Sequence, residues 1–135
     1  MFATVRTQIA TLATTATGDG GMGFPEARVT LWDDTPAALP SLCIGPSALS
    51  QVRQAKAATA SSISGPGSFG VLIATAYAEG PEGADAALVA CLVTLIPERF
   101  TLTRASVTED VIGGTEVFVV RLDLGYRLSA TIPTS

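Results

Sequence analysis

The chain has 135 residues, 47% of them apolar and 15% charged, which is typical of a single globular domain and excludes a disordered chain. Its net charge of −4, with eight scattered basic residues, argues against a basic face that would bind nucleic acid. The longest apolar run, 86–96, is about half of the ~20 residues needed to span a bilayer, so we expect no membrane partner. The first ten residues alternate polar and apolar types and lack the apolar core of a signal peptide, so we expect synthesis in the cytoplasm.

The first third of the chain predicts one helix and two short strands. Residues 2–16 repeat apolar side chains at helical spacing, and the glycine-rich stretch 18–23 ends that helix. Alternation then predicts a strand at 26–32 and a second one at 39–44, which Gly45-Pro46 is expected to end.

Residues 47–68 are rich in Ser, Ala, Thr and Gln and contain no aromatic side chain. Their apolar spacing fits neither a helix nor a strand. We therefore expect an extended arm or a mobile loop at about 47–68, a length of connection that in compact domains is usually functional or disordered.

The remainder predicts a strand at 69–78, a second helix at 84–96 and a final hairpin. In the strand, the face that carries Gly70 and Ala74 is small, which favours close packing of a helix against it. The hairpin pairs 100–107 with 115–129 across a Gly-Gly turn, and 130–135 are expected to form a tail.

Strict alternation over 115–129 is the strongest local pattern. Every second residue is apolar, and the side chains between them include Arg121, Asp123 and Arg127, so one face of this strand is buried and the other is wetted. The order of elements predicts an α+β fold: a mixed, mainly antiparallel sheet with two helices packed on one face and a C-terminal β-hairpin, in one domain spanning 1–135.

The residue types argue against catalysis. Without histidine the chain cannot form Ser-His-Asp or Cys-His machinery or a His-ligated metal site. The match to Gly-x-Gly-x-x-Gly at 18–23 follows a helix and precedes a strand, the reverse of a dinucleotide site. Cys43 and Cys91 lie in apolar settings typical of reduced, buried thiols. The adjacent acids at 33–34 and 109–110 are expected in turns, where acids commonly bond backbone amides, so we predict no enzyme, no catalytic residue, no cofactor and no metal.

Three residues are candidates for contacts with partners. Arg53 and Lys56 are the only charges in 47–68, where they either belong to a solvated loop or contact a neighbouring subunit or passing nucleic acid. Trp32 alternates onto the polar face of its strand, where it is either covered by a nearby loop or acts as a contact anchor.

The order of elements, with the last strand VFVVRLDLGYRL at 117–128, resembles the tail terminator proteins of long-tailed bacteriophages, the family of minor tail protein U. The segment 68–128 carries most of that resemblance. It implies a structural virion protein, made in the host bacterial cytoplasm, that forms a ring, expected to be a hexamer, on the end of the tail tube. Its partners would be other copies of itself, the tail tube protein and the head-tail connector, with DNA passing through the lumen without sequence-specific binding.

Two alternatives stay open. Another neck or tail-tube component of the same particle would share a mixed layout of strands and helices. A small-molecule-binding or enzymatic α+β domain belongs to a different class and would require a concave pocket with convergent polar groups.

Overall fold

The computed structural model describes residues 1–31 and 38–133. Its helices and strands, in chain order, are α1 (Phe2–Thr14), β1 (Val29–Leu31), β2 (Ser41–Leu49), β3 (Arg53–Lys56), β4 (Ala60–Ala76), α2 (Gly80–Leu95), β5 (Thr101–Ile112) and β6 (Thr115–Pro133). The fold is α+β, as the sequence predicts, with two helices and a six-stranded, mostly antiparallel sheet.

The sheet has the order β1-β2-β4-β6-β5, and β3 pairs with β4 beside β2. Only β1 and β2 are parallel; the other pairs are antiparallel. The two longest strands, β4 and β6, pair without interruption from Ala60 opposite Pro133 to Ala76 opposite Val117. This long central pair holds the sheet together, since β2 and β3 share one edge of β4 and β5 pairs with β6 on the other side.

The predicted C-terminal hairpin is confirmed as β5 and β6. Gly113 and Gly114 form the two-residue turn, with φ angles of 58° and 80° that favour glycine and suit the twist of a tight hairpin. Both strands are longer than predicted. In particular, β6 runs to Pro133, so 130–133 are paired with β4 and the prediction of a tail there is wrong.

Both helices lie on one face of the sheet, and the core lies between them and the strands. The core includes Val5 and Ile9 of α1, Leu95 of α2, and Phe69 and Ile73 of β4, all almost completely buried. The sequence predicts that a helix packs on the small-residue face of β4, and this is wrong. The helices cover the face of the large side chains because burying those removes more apolar area from water.

Two predicted strand boundaries in the N-terminal half are also corrected. Gly45-Pro46 does not end β2, which continues to Leu49 through a shift in its pairing with β4 between Ile44 and Ser47. An irregularity of this kind is where a strand accommodates proline. The predicted strand at 26–32 begins with a 3₁₀ turn over Glu26–Arg28 before β1.

Helix α2 is apolar on more than its buried side. Among the described residues, Tyr77–Glu98, which comprises α2 and the short turns beside it, is long and apolar enough to cross a membrane by length and composition alone. Core helices of soluble proteins pass the same test. Cys91 and Leu95 of α2 are fully buried against the sheet, so this helix is a component of the core in this fold.

Candidate interaction surfaces

A three-stranded arm extends from the end of the sheet. It consists of β3, residues 60–66 of β4 and residues 127–133 of β6, paired in that order. Pairing with β2 stops at Gly67 and pairing with β5 stops at Gly125, so neither strand accompanies β4 and β6 into the arm. The arm therefore projects beyond the helix-covered part of the sheet.

Small residues and main-chain hydrogen bonds build this arm. The amide of Ala57 donates to the carbonyl of Ala60 at 2.8 Å where β3 turns into β4, and the amide of Ser50 donates to the carbonyl of Pro66 at 3.1 Å. A β-carbon at Gly65 would lie 2.7 Å from the Ser50 carbonyl oxygen, so a larger residue does not fit there. The sequence predicts an extended arm or a loop at 47–68; the structure shows strands, which corrects the loop alternative.

Both outer edges of the arm are open in the part of the chain that the structure describes. No strand pairs with the outer edge of β3 or with the edge of β6 beyond Gly125. An unpaired strand edge presents main-chain N–H and C=O groups that can pair with another chain. The arm thus offers two templates for adding a strand from a partner.

The predicted contact residues separate in the structure. Arg53 and Arg127 lie on the same face of the arm and line a groove of about 430 Å³ together with Gln51, Gly65 and Pro66. Lys56 lies opposite Ser61 and therefore on the other face of the arm, although it is equally exposed. Trp32 lies outside the described residues. Sequence reasoning missed Arg127 as a neighbour of Arg53, because only the pairing through β4 joins them.

The sheet face away from the helices, which we call the open face, carries a second groove of about 520 Å³. Its floor is formed by Cys43, Gly45, Gly70 and Leu72, and its wall includes Arg104 and Arg121. The pairing sets Cys43, Leu72, Arg121 and Ser106 in one row across four strands. An Arg121 nitrogen lies 3.8 Å from an Asp110 oxygen, and both side chains are about half exposed. This open-face groove therefore has a mainly apolar floor, and Asp123 lines it together with the two arginines.

The outer side of α2 is apolar and exposed. Val89 is 51% exposed, Val93 is 70% exposed and Ile96, just past the helix end, is 45% exposed. Ala86 and Ala90 are exposed beside these residues, and the acids Glu82 and Asp85 are exposed in the N-terminal part of the same helix. We call 86–96 with its exposed apolar side chains the α2 stripe.

The described residues contain no group of three or more Cys, Asp or Glu placed to hold a metal ion. Neither cysteine forms a disulfide and both are buried, which confirms the prediction of reduced, buried thiols. Burial raises the pKa of the Cys91 thiol to about 12, so this thiol stays protonated and unreactive at neutral pH.

The described residues carry three candidate interaction surfaces: the arm with its two open edges, the open-face groove and the α2 stripe. No protein-family model matches the chain, and no curated protein is similar to it in sequence.

Proposed function

We propose that this chain is a structural virion protein, the tail terminator of a long-tailed bacteriophage. In this role it forms a ring, expected to be a hexamer, at the head-proximal end of the tail tube. The ring stops tube growth and joins the tail to the head connector, so its site of action is the neck of the virion. The observation that carries the proposal is the arm, which projects from a helix-covered sheet with two open strand edges.

The arm supports an assembly role for a physical reason. Its strands contribute one residue, Leu128, to the core, so the arm is not needed to bury apolar surface within the chain. An open edge left in solution is an aggregation hazard, and a protein that keeps two of them benefits if neighbours cover them. Strand addition between neighbouring copies, or onto the tube protein or the connector, gives each edge a partner.

The charge also suits a conduit for DNA. The net charge of −4 disfavours tight binding of DNA phosphates by the ring as a whole, so DNA can pass the lumen without being held. The proposed role requires no cofactor, and the partners are further copies of the chain, the tube protein and the connector.

Absolute quantification of the chain in purified particles tests this function. Mass spectrometry with isotope-labelled peptides should find one ring's worth, about six copies per particle for a closed hexameric ring. A copy number many times larger would assign the chain to the tail tube instead. Absence from particles would overturn the structural role and favour a small-molecule-binding domain, for which the open-face groove is the candidate pocket.

Removal of the arm hairpin tests the role of the arm. Deletion of 50–64 should leave the core folded but abolish ring formation or docking on tails. A matched control shortens the other end of the sheet by deleting 111–112 and 115–116, which keeps the Gly113-Gly114 turn. The control should fold and still cap tails. If the arm-deleted protein caps tails as well as the control, the arm is not the assembly element.

A further inference from the structure

We propose that copies of this chain associate head to tail through two different faces, with the α2 stripe of one copy seated in the open-face groove of the next. The proposal deepens the terminator assignment, on which it rests for its biological context, by naming the surfaces that close the ring. The occupant of the groove is therefore a second copy of this chain.

The open face as a whole and helix α2 carry opposite net charge. Arg104, Arg121 and Asp123 line the groove, and Asp110 lies next to Arg121. Arg53 and Arg127 lie farther out on the same face, in the arm, so the whole open face has an excess of two positive charges. Helix α2 contains two acids and no basic residue over Gly80–Leu95. Four of the eight basic residues of the chain lie on this face, although the net charge of the whole chain is −4. Such complementarity orients two copies and suppresses the approach of like faces.

The helix positions of the acids match those of the apolar residues. At 100° per residue, Glu82, Val89, Val93 and Ile96 project within about 60° of one another, and Asp85 projects beside them. The two acids therefore lie just before the N-terminal end of the α2 stripe, on the same side of the helix. Docking along the groove brings these acids towards Arg104 and Arg121 while the valines cover the floor.

The dimensions of the two surfaces also agree. The α2 stripe, 86–96, is about 15 Å long at 1.5 Å per residue. The groove crosses β2, β4, β6 and β5, a width of about 14 Å at ~4.8 Å per strand spacing. Gly45 carries no side chain, which keeps the floor low at that position, while Pro46 packs beside Gly70.

The topology makes the contact heterologous. The α2 stripe and the open-face groove lie on opposite sides of the sheet, so they cannot meet within one chain. Each copy therefore binds one neighbour through its α2 stripe and another through its open-face groove. Repetition of this contact gives a closed ring when a whole number of rotations between copies makes a full turn.

The ion pair of Arg121 with Asp110 does not oppose docking. Both side chains are about half exposed, so their interaction contributes little to stability and Arg121 can turn to an acid of the neighbouring copy. Because exposed charges are screened by salt, the association should weaken as ionic strength rises.

The decisive test uses variants in which one of the two surfaces is blocked and the other is intact. Val93→Asp places a charge in the stripe at a position 70% exposed, so the fold should be kept. Arg104→Glu with Arg121→Glu reverses the wall of the groove. Val111→Asp, at a position 61% exposed near the hairpin tip, is the matched control outside both surfaces. Sedimentation velocity and native mass spectrometry at low salt then measure association, and circular dichroism confirms that each variant is folded.

We expect wild type and Val111→Asp to associate alike, and each blocked variant to associate at least about tenfold more weakly. An equimolar mixture of Val93→Asp with the double arginine variant should form heterodimers that grow no further, because one intact stripe and one intact groove remain. An isologous contact, which uses the same patch twice, would give no such rescue.

Three results would overturn the proposal: a wild type that stays monomeric up to about 1 mM, a Val93→Asp variant that associates like wild type, or a mixture without heterodimers. The test is separable from that of the terminator role. If blocked variants still build one ring per particle, only the interface is wrong. If the mixture forms heterodimers but the chain is absent from particles, the terminator role fails and the interface stands.

Discussion

Gly67 of β4 lies directly against Leu128 of β6, so that a β-carbon at position 67 would stand 2.6 Å from the Leu128 Cδ1 atom. Leu128 is 4% exposed and belongs to the core, although it lies at the start of the arm. Because Gly67 has no side chain, Leu128 can pack over β4 at the point where the two strands enter the arm.

Substitution of Gly67 by alanine should therefore lower the free energy of unfolding by about 1–3 kcal/mol, because Leu128 has to move or leave its packing. Gly125→Ala is the control, since its β-carbon would meet no atom closer than 3.6 Å. That change should be neutral or stabilise the fold by up to about 1 kcal/mol, because alanine restricts the unfolded chain. Urea unfolding measures both, and equal effects of the two substitutions would contradict the assigned packing.

The ring of Tyr77 stacks on that of Phe118, with centroids 5.2 Å apart and planes 6° from parallel. Tyr77 is 45% exposed, so its hydroxyl contributes less than its ring. Tyr77→Ala should lower the free energy of unfolding by about 0.5–1.5 kcal/mol for the lost stacking, with a smaller further loss of buried area. Tyr77→Phe keeps the ring and should have the same free energy of unfolding as wild type. If the Phe variant is as unstable as the Ala variant, the hydroxyl and not the stacking accounts for the loss of stability.

Stability should fall at high pH through Cys91. Burial raises the pKa of its thiol from 9.0 to about 12, so between these values the unfolded chain releases a proton that the folded chain keeps. The contribution of Cys91 is constant below pH 9 and is lost as pH rises towards 12, at up to about 1.4 kcal/mol per pH unit. The difference in unfolding free energy between wild type and Cys91→Ala should narrow over this interval. A difference independent of pH would show that the thiol does not titrate with unfolding.

The sequence located the elements whose apolar residues repeat at a regular period. Helix α1, helix α2 and the hairpin of β5 and β6 were predicted because their buried side chains recur at helical or alternate spacing. The arm was not predicted as strands, since 47–68 contains mostly small residues with no contrast between an apolar and a polar face. Its strands form because β4 and β6 pair continuously from Ala60 to Ala76, which is a long-range interaction.

The candidate surfaces were less predictable than the fold. Arg53 and Lys56 are candidate contact residues in the sequence because they are the only charges in their segment. In the structure they lie on opposite faces of the arm. Arg104, Arg121 and Arg127 gave no signal as a group, because they are scattered along two strands and reach one face only through strand register.

The sequence by itself determined the α+β class, the two helices and the final hairpin, because each follows from the period of side chains along a single element. Only the tertiary structure decided which face of the sheet the helices cover, where the edges stay open and which side of α2 stays exposed. Local periodicity reports a residue's direction relative to its own helix or strand. The partner on that side depends on how distant elements pair, and α2 is too apolar on both sides for periodicity to distinguish its core from its outer face.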